Sequence, residues 1–281
     1  MIDNIGPHVE RVFIAHSELP WNYNPRARKN FKNPTDISII EDCAFRDKVQ
    51  VIEGVWSRDE DQRNACVDEA VRQGFDFLIV QDADEFVQPH QYQRAFELIR
   101  EHSQIDLFRF HWRMYWKSTD NVLVDKHGEE VNGTPEFALN LNRGVRFVNR
   151  RITNAHTEFL LPIVGHHLSF VGSDEFMYTK VKTWGHTQEF NSERWFHDKW
   201  MHWHPKTRYL HPLRPTKWYQ AIPRTDELPP IIQNWPHNND SVYDEQAWEK
   251  LIRIMRELVT PGVLWFGRIK RSLLRRLLPF R

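Results

Sequence analysis

The six-residue run Phe75-Asp76-Phe77-Leu78-Ile79-Val80 passes without a break into Gln81-Asp82-Ala83-Asp84-Glu85. An apolar run of that length suits a strand covered on both faces, as in the centre of a parallel sheet. The acids at its end carry the argument further. Like charges so close oppose one another's ionisation, and a divalent cation relieves the conflict. Ligands of open α/β sheets bind at the carboxyl ends of strands, where this cluster falls. Alternation along an extended segment puts Asp82 and Asp84 on one side, so both can face one ion. A solvated acidic turn capping the helix that starts near Pro89 is the plainer alternative.

The flanking segments read as an α/β unit. Val9 to Ala15 and Lys48 to Ile52 are short β-branched strands. Asp59 to Gln73 is an amphipathic helix, with acids in its first turn and Gly74 beyond its end. A further helix is expected over Gln91 to Glu101, and strands with connecting loops over Ile105 to Ile152. The expected fold is a mixed, mainly parallel central sheet flanked by helices. Residues 1–235 form the main domain and 236–281 a helical extension. The segment Gly165 to Phe170 reads as a strand entered from a loop.

Formal net charge is zero, which points away from nucleic acid as a partner. The last fourteen residues nevertheless hold six basic side chains and no acid. Residues 263–281 alternate apolar and basic pairs at helical spacing. That pattern fits peripheral contact with an anionic membrane, and equally a terminal helix docked on its own domain. Two cysteines without a CxxC pattern, no N-terminal signal pattern and no spanning apolar run lead to a cytoplasmic expectation. Twelve tryptophans supply rings for stacking on sugars or for filling a core. Among the clustered histidines, His186 follows Lys180 closely enough for both to reach one site. His202-Trp203-His204 reads as structural.

These motifs together resemble the nucleotide-sugar glycosyltransferases of the GT-A, Rossmann-like fold. The carriers are Trp56, Asp61-Gln62-Arg63-Asn64 and Asp82-Ala83-Asp84-Glu85-Phe86. They also include the block from Gly165-His166-His167-Leu168-Ser169-Phe170 through Glu175 and Lys180 to Gly185-His186-Thr187-Gln188-Glu189-Phe190-Asn191. This second block is similar to glycosyltransferase family 17, and the whole also to family 2-like enzymes. His166 stands where family 17 usually has tryptophan, and Trp184-Gly185 departs from it as well.

The resemblance implies an inverting, metal-dependent transfer of a sugar such as N-acetylglucosamine. The donor would be a nucleotide sugar, a UDP-sugar first, and the acceptor a glycan or lipid-linked glycan. Asp84, Asp82 and His186 would hold Mn²⁺ or Mg²⁺. Arg63, Asn64, Asp82, Lys180 and His167 would border the donor, and Glu175 or Asp174 would serve as the base. A metal-dependent nucleotidyltransferase is the alternative enzyme class. Related folds often carry an earlier nucleotide-contacting strand, whereas the first recognisable strand here begins at Val9, so a binding-only relative is the third reading.

Overall fold

The computed structural model describes residues 1–22, 29–30, 32–33, 35–183 and 189–235. Its strands are β1 (Val12–His16), β2 (Val49–Glu53), β3 (Phe77–Ile79), β4 (Glu85–Val87), β5 (Leu107–Trp116) and β6 (Ser118–Val124). They continue with β7 (Asn132–Gly133), β8 (Glu136–Asn140), β9 (Phe147–Asn149), β10 (Ile152–Thr153), β11 (Glu158–His167) and β12 (Gln220–Pro223). The helices are α1 (Ile2–Ile5), α2 (Asp59–Arg72), α3 (Pro89–Glu101), α4 (Asp174–Thr183) and α5 (Ser192–Trp195). The last runs on into a π-helical segment, Phe196–Met201.

The class is mixed α/β, but the expected parallel majority is corrected. Of the nine strand pairs among the described residues, β1 with β2 and β5 with β11 are parallel, and the other seven are antiparallel. The cause is β5, ten residues long, which pairs with β11 along one edge and with β6, β7 and β8 along the other. Only Lys117, at φ +62°, separates β5 from β6, and so tight a reversal makes an antiparallel pair. The strand expected from Gly165 onward in fact ends at His167; it is the end of β11.

Two of the helices, α2 and α3, form where the sequence places them. Asp59, Glu60 and Asp61 sit in the first turn of α2, where acids favour the positive end of the helix dipole. Gly74 follows at φ +81°, a left-handed conformation that suits glycine just past a helix end. In α3, Pro89 starts the helix, and Tyr92, Ala95, Leu98 and Ile99 form its buried stripe. That stripe packs on Phe108, Phe110, Leu161 and Ile163 of β5 and β11. A second core is aromatic: Trp116, Trp195, Trp200 and Trp218 gather round Phe170. Four of the tryptophans therefore serve packing. His202 is buried beside this core, with its Nδ1 2.8 Å from the His197 carbonyl oxygen.

No helix among the described residues is long and apolar enough to cross a membrane. The basic segment 263–281 and the helices expected after residue 236 lie outside the described residues.

Gly165 of β11 lies directly under Phe110 of β5, and a Cβ there would meet the ring at 2.1 Å. Both positions are buried, so Gly165→Ala is expected to cost about 1–3 kcal/mol through overpacking. A thermal melt should show the loss, and Phe110→Leu in the same chain should recover part of it.

Candidate functional site

The acidic turn lies between β3 and β4, and strand register decides what faces it. Glu85 of β4 pairs with His167 of β11, and His167 pairs on its other side with Met114 of β5. Leu168 then donates its backbone N–H to the Asp84 carbonyl at 2.8 Å, tying the turn to the end of β11.

Two separate sets of cations meet the two aspartates. Asp84 faces His167 Nε2 at 3.3 Å through one oxygen and Lys180 Nζ at 3.2 Å through the other. Lys180 comes from α4 and also donates to Ser169 Oγ at 2.8 Å. Asp82 is held by Arg63 of α2 at 3.1 Å and by Arg151 at 2.6 Å. Arg63 also pairs with Asp59 at 2.7 Å, and Arg151 with Glu136 at 2.9 Å.

Arg151 reaches the site on the β9–β10 hairpin, which is fastened to α2. Asn64 bonds both backbone groups of Phe147, donating to its carbonyl at 2.9 Å and accepting from its N–H at 3.0 Å. Glu60 accepts from the N–H of Arg150, whose φ of +52° turns the hairpin. Asn64, expected at the donor, thus has its amide engaged on this hairpin. The guanidinium of Arg151 lies 4.9 Å from the Trp112 ring, and His167 packs on the same indole at 4.3 Å. Arg151 Nη2 and Trp112 Nε1 are buried without a hydrogen-bond partner among the described residues.

Electrostatics follow from this pairing. Burial pushes the Asp82 carboxyl up, but Arg151 and Arg63 outweigh it and hold the group at about 2. Burial likewise opposes ionisation of Asp84, and His167 and Lys180 bring it well below the ordinary carboxylate range. His167 responds in kind: burial lowers its pKa, and the Asp84 carboxylate more than reverses this. Glu85 differs. It is fully buried, and burial together with neighbouring Asp82 raises it to about 7 despite Arg151.

The structure brings Asp82, Asp84, Arg63, Lys180 and His167 together. It places Asp174 and Glu175 in the first turn of α4. Asp174 accepts from Trp200 Nε1 at 2.7 Å and pairs with Lys117 at 3.5 Å, so it anchors the start of α4 on the aromatic core. Glu175 is exposed on the first turn of α4. His186 lies outside the described residues. Sequence reasoning missed Arg151, Trp112 and Glu136, which come from unrelated segments with no motif to mark them.

Asp84 Oδ1 and His167 Nε2 stand 3.3 Å apart, so a cation would have to replace their mutual contact to be held by both. Mg²⁺ or Mn²⁺ at a nucleotide site takes one or two protein ligands and completes its shell with phosphate oxygens and water. The pair fits such an open site. Among the described residues, no group of three or more His, Cys, Asp or Glu side chains forms a closed one.

The raised Glu85 predicts a pH effect of definite sign. Between its ordinary value and about 7, the unfolded chain releases this proton while the folded chain keeps it, so folding stability falls as pH rises. Glu85→Gln keeps the neutral form at every pH. The wild-type Tm should therefore decline relative to the variant from pH 5 to pH 8, and a constant difference would refute the assignment. No family model and no curated protein matches the chain.

Proposed function

We propose that the protein is a glycosyltransferase of GT-A type that moves a sugar from a nucleoside-diphosphate donor to a glycan or lipid-linked acceptor. The observation that carries this reading is the gathering of Arg63, Arg151, His167 and Lys180 from four elements onto Asp82 and Asp84 at a strand end. In sugar transfer the acceptor hydroxyl oxygen bonds to the anomeric carbon and gives its proton to a base or to water, and the bond from that carbon to the diphosphate oxygen breaks. Negative charge grows on the leaving diphosphate, and preorganised cations stabilise it without reorganising.

Arg151 suits this task, since one buried nitrogen keeps its donor capacity and Glu136 and Trp112 fix the guanidinium in place. Lys180 is anchored by Ser169 and could exchange Asp84 for a phosphate oxygen with little movement. Asp84 and His167 would hold the Mn²⁺ or Mg²⁺, which when bound neutralises diphosphate charge. The nucleotide is proposed to be uridine diphosphate, on the resemblance described above. The strand end supports binding of the diphosphate, the part common to all nucleoside-diphosphate sugars.

The test is a panel of nucleotide sugars assayed for donor hydrolysis and transfer, with Mn²⁺ or with a chelator. Asp84→Asn keeps the shape and removes the charge. It should lower turnover by roughly 10²–10³-fold, the scale of losing one preorganised electrostatic partner. Its Tm should stay within a few degrees of wild type. Wild-type turnover in the folded variant would overturn the proposal.

A further inference from the structure

Phenylalanine and tryptophan side chains are buried or half-buried throughout the described residues, with one exception. Phe176 of α4 is 48% exposed. A single exposed apolar side chain is ordinary on a protein surface and by itself signifies nothing. The position of this one gives it meaning. Phe176 and Lys180 stand four residues apart on one face of α4, with Lys180 Nζ 5.5 Å from the centre of the ring. The same ammonium group is 3.2 Å from Asp84. The exposed ring therefore borders the acidic turn where Lys180 meets it.

The backbone holds the ring there. Ser173 caps α4, its Oγ accepting from the Phe176 N–H at 3.1 Å and its carbonyl from the Met177 N–H at 3.0 Å. Asp174 is bonded to Trp200 and paired with Lys117, so the first turn is fixed to the aromatic core. Gly172 clears the space for the ring. A Cβ at this glycine would stand 2.8 Å from Cδ1 of Phe176, and its φ of +153° is one that residues with side chains rarely adopt. Tyr178, the other exposed aromatic residue of α4, bonds Glu193 through its hydroxyl and packs on Phe196. That ring serves the protein's own packing. The Phe176 side chain has no polar atom and turns nearly half of itself to solvent.

The negative π face of a phenyl ring attracts the slightly positive hydrogens of C–H groups. A pyranose carries such hydrogens on its faces, while its hydroxyl groups point outward. A flat apolar surface beside a cation suits a sugar held next to a phosphate, and offers nothing to the phosphate itself.

We propose that Phe176 is the stacking platform for a pyranose ring at the acidic turn. A phosphate oxygen at Lys180 Nζ carries its sugar one bridging oxygen away, and an acceptor hydroxyl must reach the anomeric carbon of that sugar. Donor and acceptor rings both come close to a platform 5.5 Å from Nζ. A ring already fixed in place loses little freedom when the sugar arrives, which favours binding. The choice of a sugar as ligand rests on the reading of function above, so the test reads sugar contact directly, without turnover.

Saturation-transfer NMR on the full chain detects contact between aromatic protons and ligand C–H groups. The probes are the methyl glycosides of glucose, galactose, mannose and N-acetylglucosamine, then UDP-glucose and UDP-N-acetylglucosamine with Mg²⁺. Irradiated aromatic resonances should pass saturation to the ring protons of at least one of these sugars. Phe176→Ala should weaken that sugar's binding about tenfold. Phe176→Trp should retain it, whereas Phe176→Leu, apolar but without a π face, should behave like the alanine variant. The position is exposed, so the Tm of each variant should stay within about 2 °C of wild type. Saturation reaching a methyl glycoside assigns the platform to the acceptor, and saturation reaching only the sugar of a UDP-sugar assigns it to the donor. No saturation of any probe, or equal affinity in wild type and Phe176→Ala, overturns the platform. The reading of function fails separately. A methyl glycoside on Phe176 with no nucleotide sugar bound or turned over would leave a sugar-binding protein. Transfer with unchanged sugar affinity in Phe176→Ala would leave a transferase without this platform.

Discussion

The arrangement depends on burying negative charge beside a sheet, and two arginines make that tolerable. Glu85 and Glu136 are almost wholly enclosed, Asp59 nearly so, and Asp82 lies among them. Arg63 joins Asp59 to Asp82, and Arg151 joins Asp82 to Glu136, with Glu85 at 3.5 Å. Arg109 extends the chain from Glu136 to Glu158 at the surface. Signs alternate along the whole series. Removing Arg151 would leave Asp82 with Arg63 alone and Glu136 with Arg109 alone, and thinning the counter-charge of buried carboxylates costs more than an exposed pair contributes.

This ladder also explains the division of labour between the two aspartates. Asp82 is enclosed by guanidinium groups, whose planar donors bind carboxylate in fixed geometry. Asp84 meets a lysine and an imidazole, groups that exchange partners more readily and, in the imidazole's case, can bind a metal. Trp112 touches both systems, packing on Arg151 and on His167. The indole thereby sets the separation between the cation that serves Asp82 and the one that serves Asp84.

Much of the local structure was legible in the sequence. The α2 helix shows its acids, its apolar stripe and its closing glycine, and α3 shows its proline start. Asp82 and Asp84 were marked by their position after an apolar run, and His167 and Lys180 by the block that holds them. Reading the run 75–80 as a fully covered parallel strand went too far, because hydropathy reports burial and not the direction of a partner. The strand is half-buried and antiparallel to β8. Asp174 stood as a candidate base as the neighbour of Glu175 inside the block. Its bonds reach Trp200, 26 residues later, and Lys117, 57 residues earlier between β5 and β6, beyond the reach of any local pattern.

By itself, then, the sequence determined the elements whose signals are local: helix ends, apolar stripes, and an acidic turn after a strand. Only the tertiary structure decided which cation meets which acid, because Arg63, Arg151, His167 and Lys180 lie on four elements whose meeting follows from strand register. It alone decided that β1 pairs with β2 and β3 with β8, since pairing is a relation between strands and leaves no trace in the composition of either.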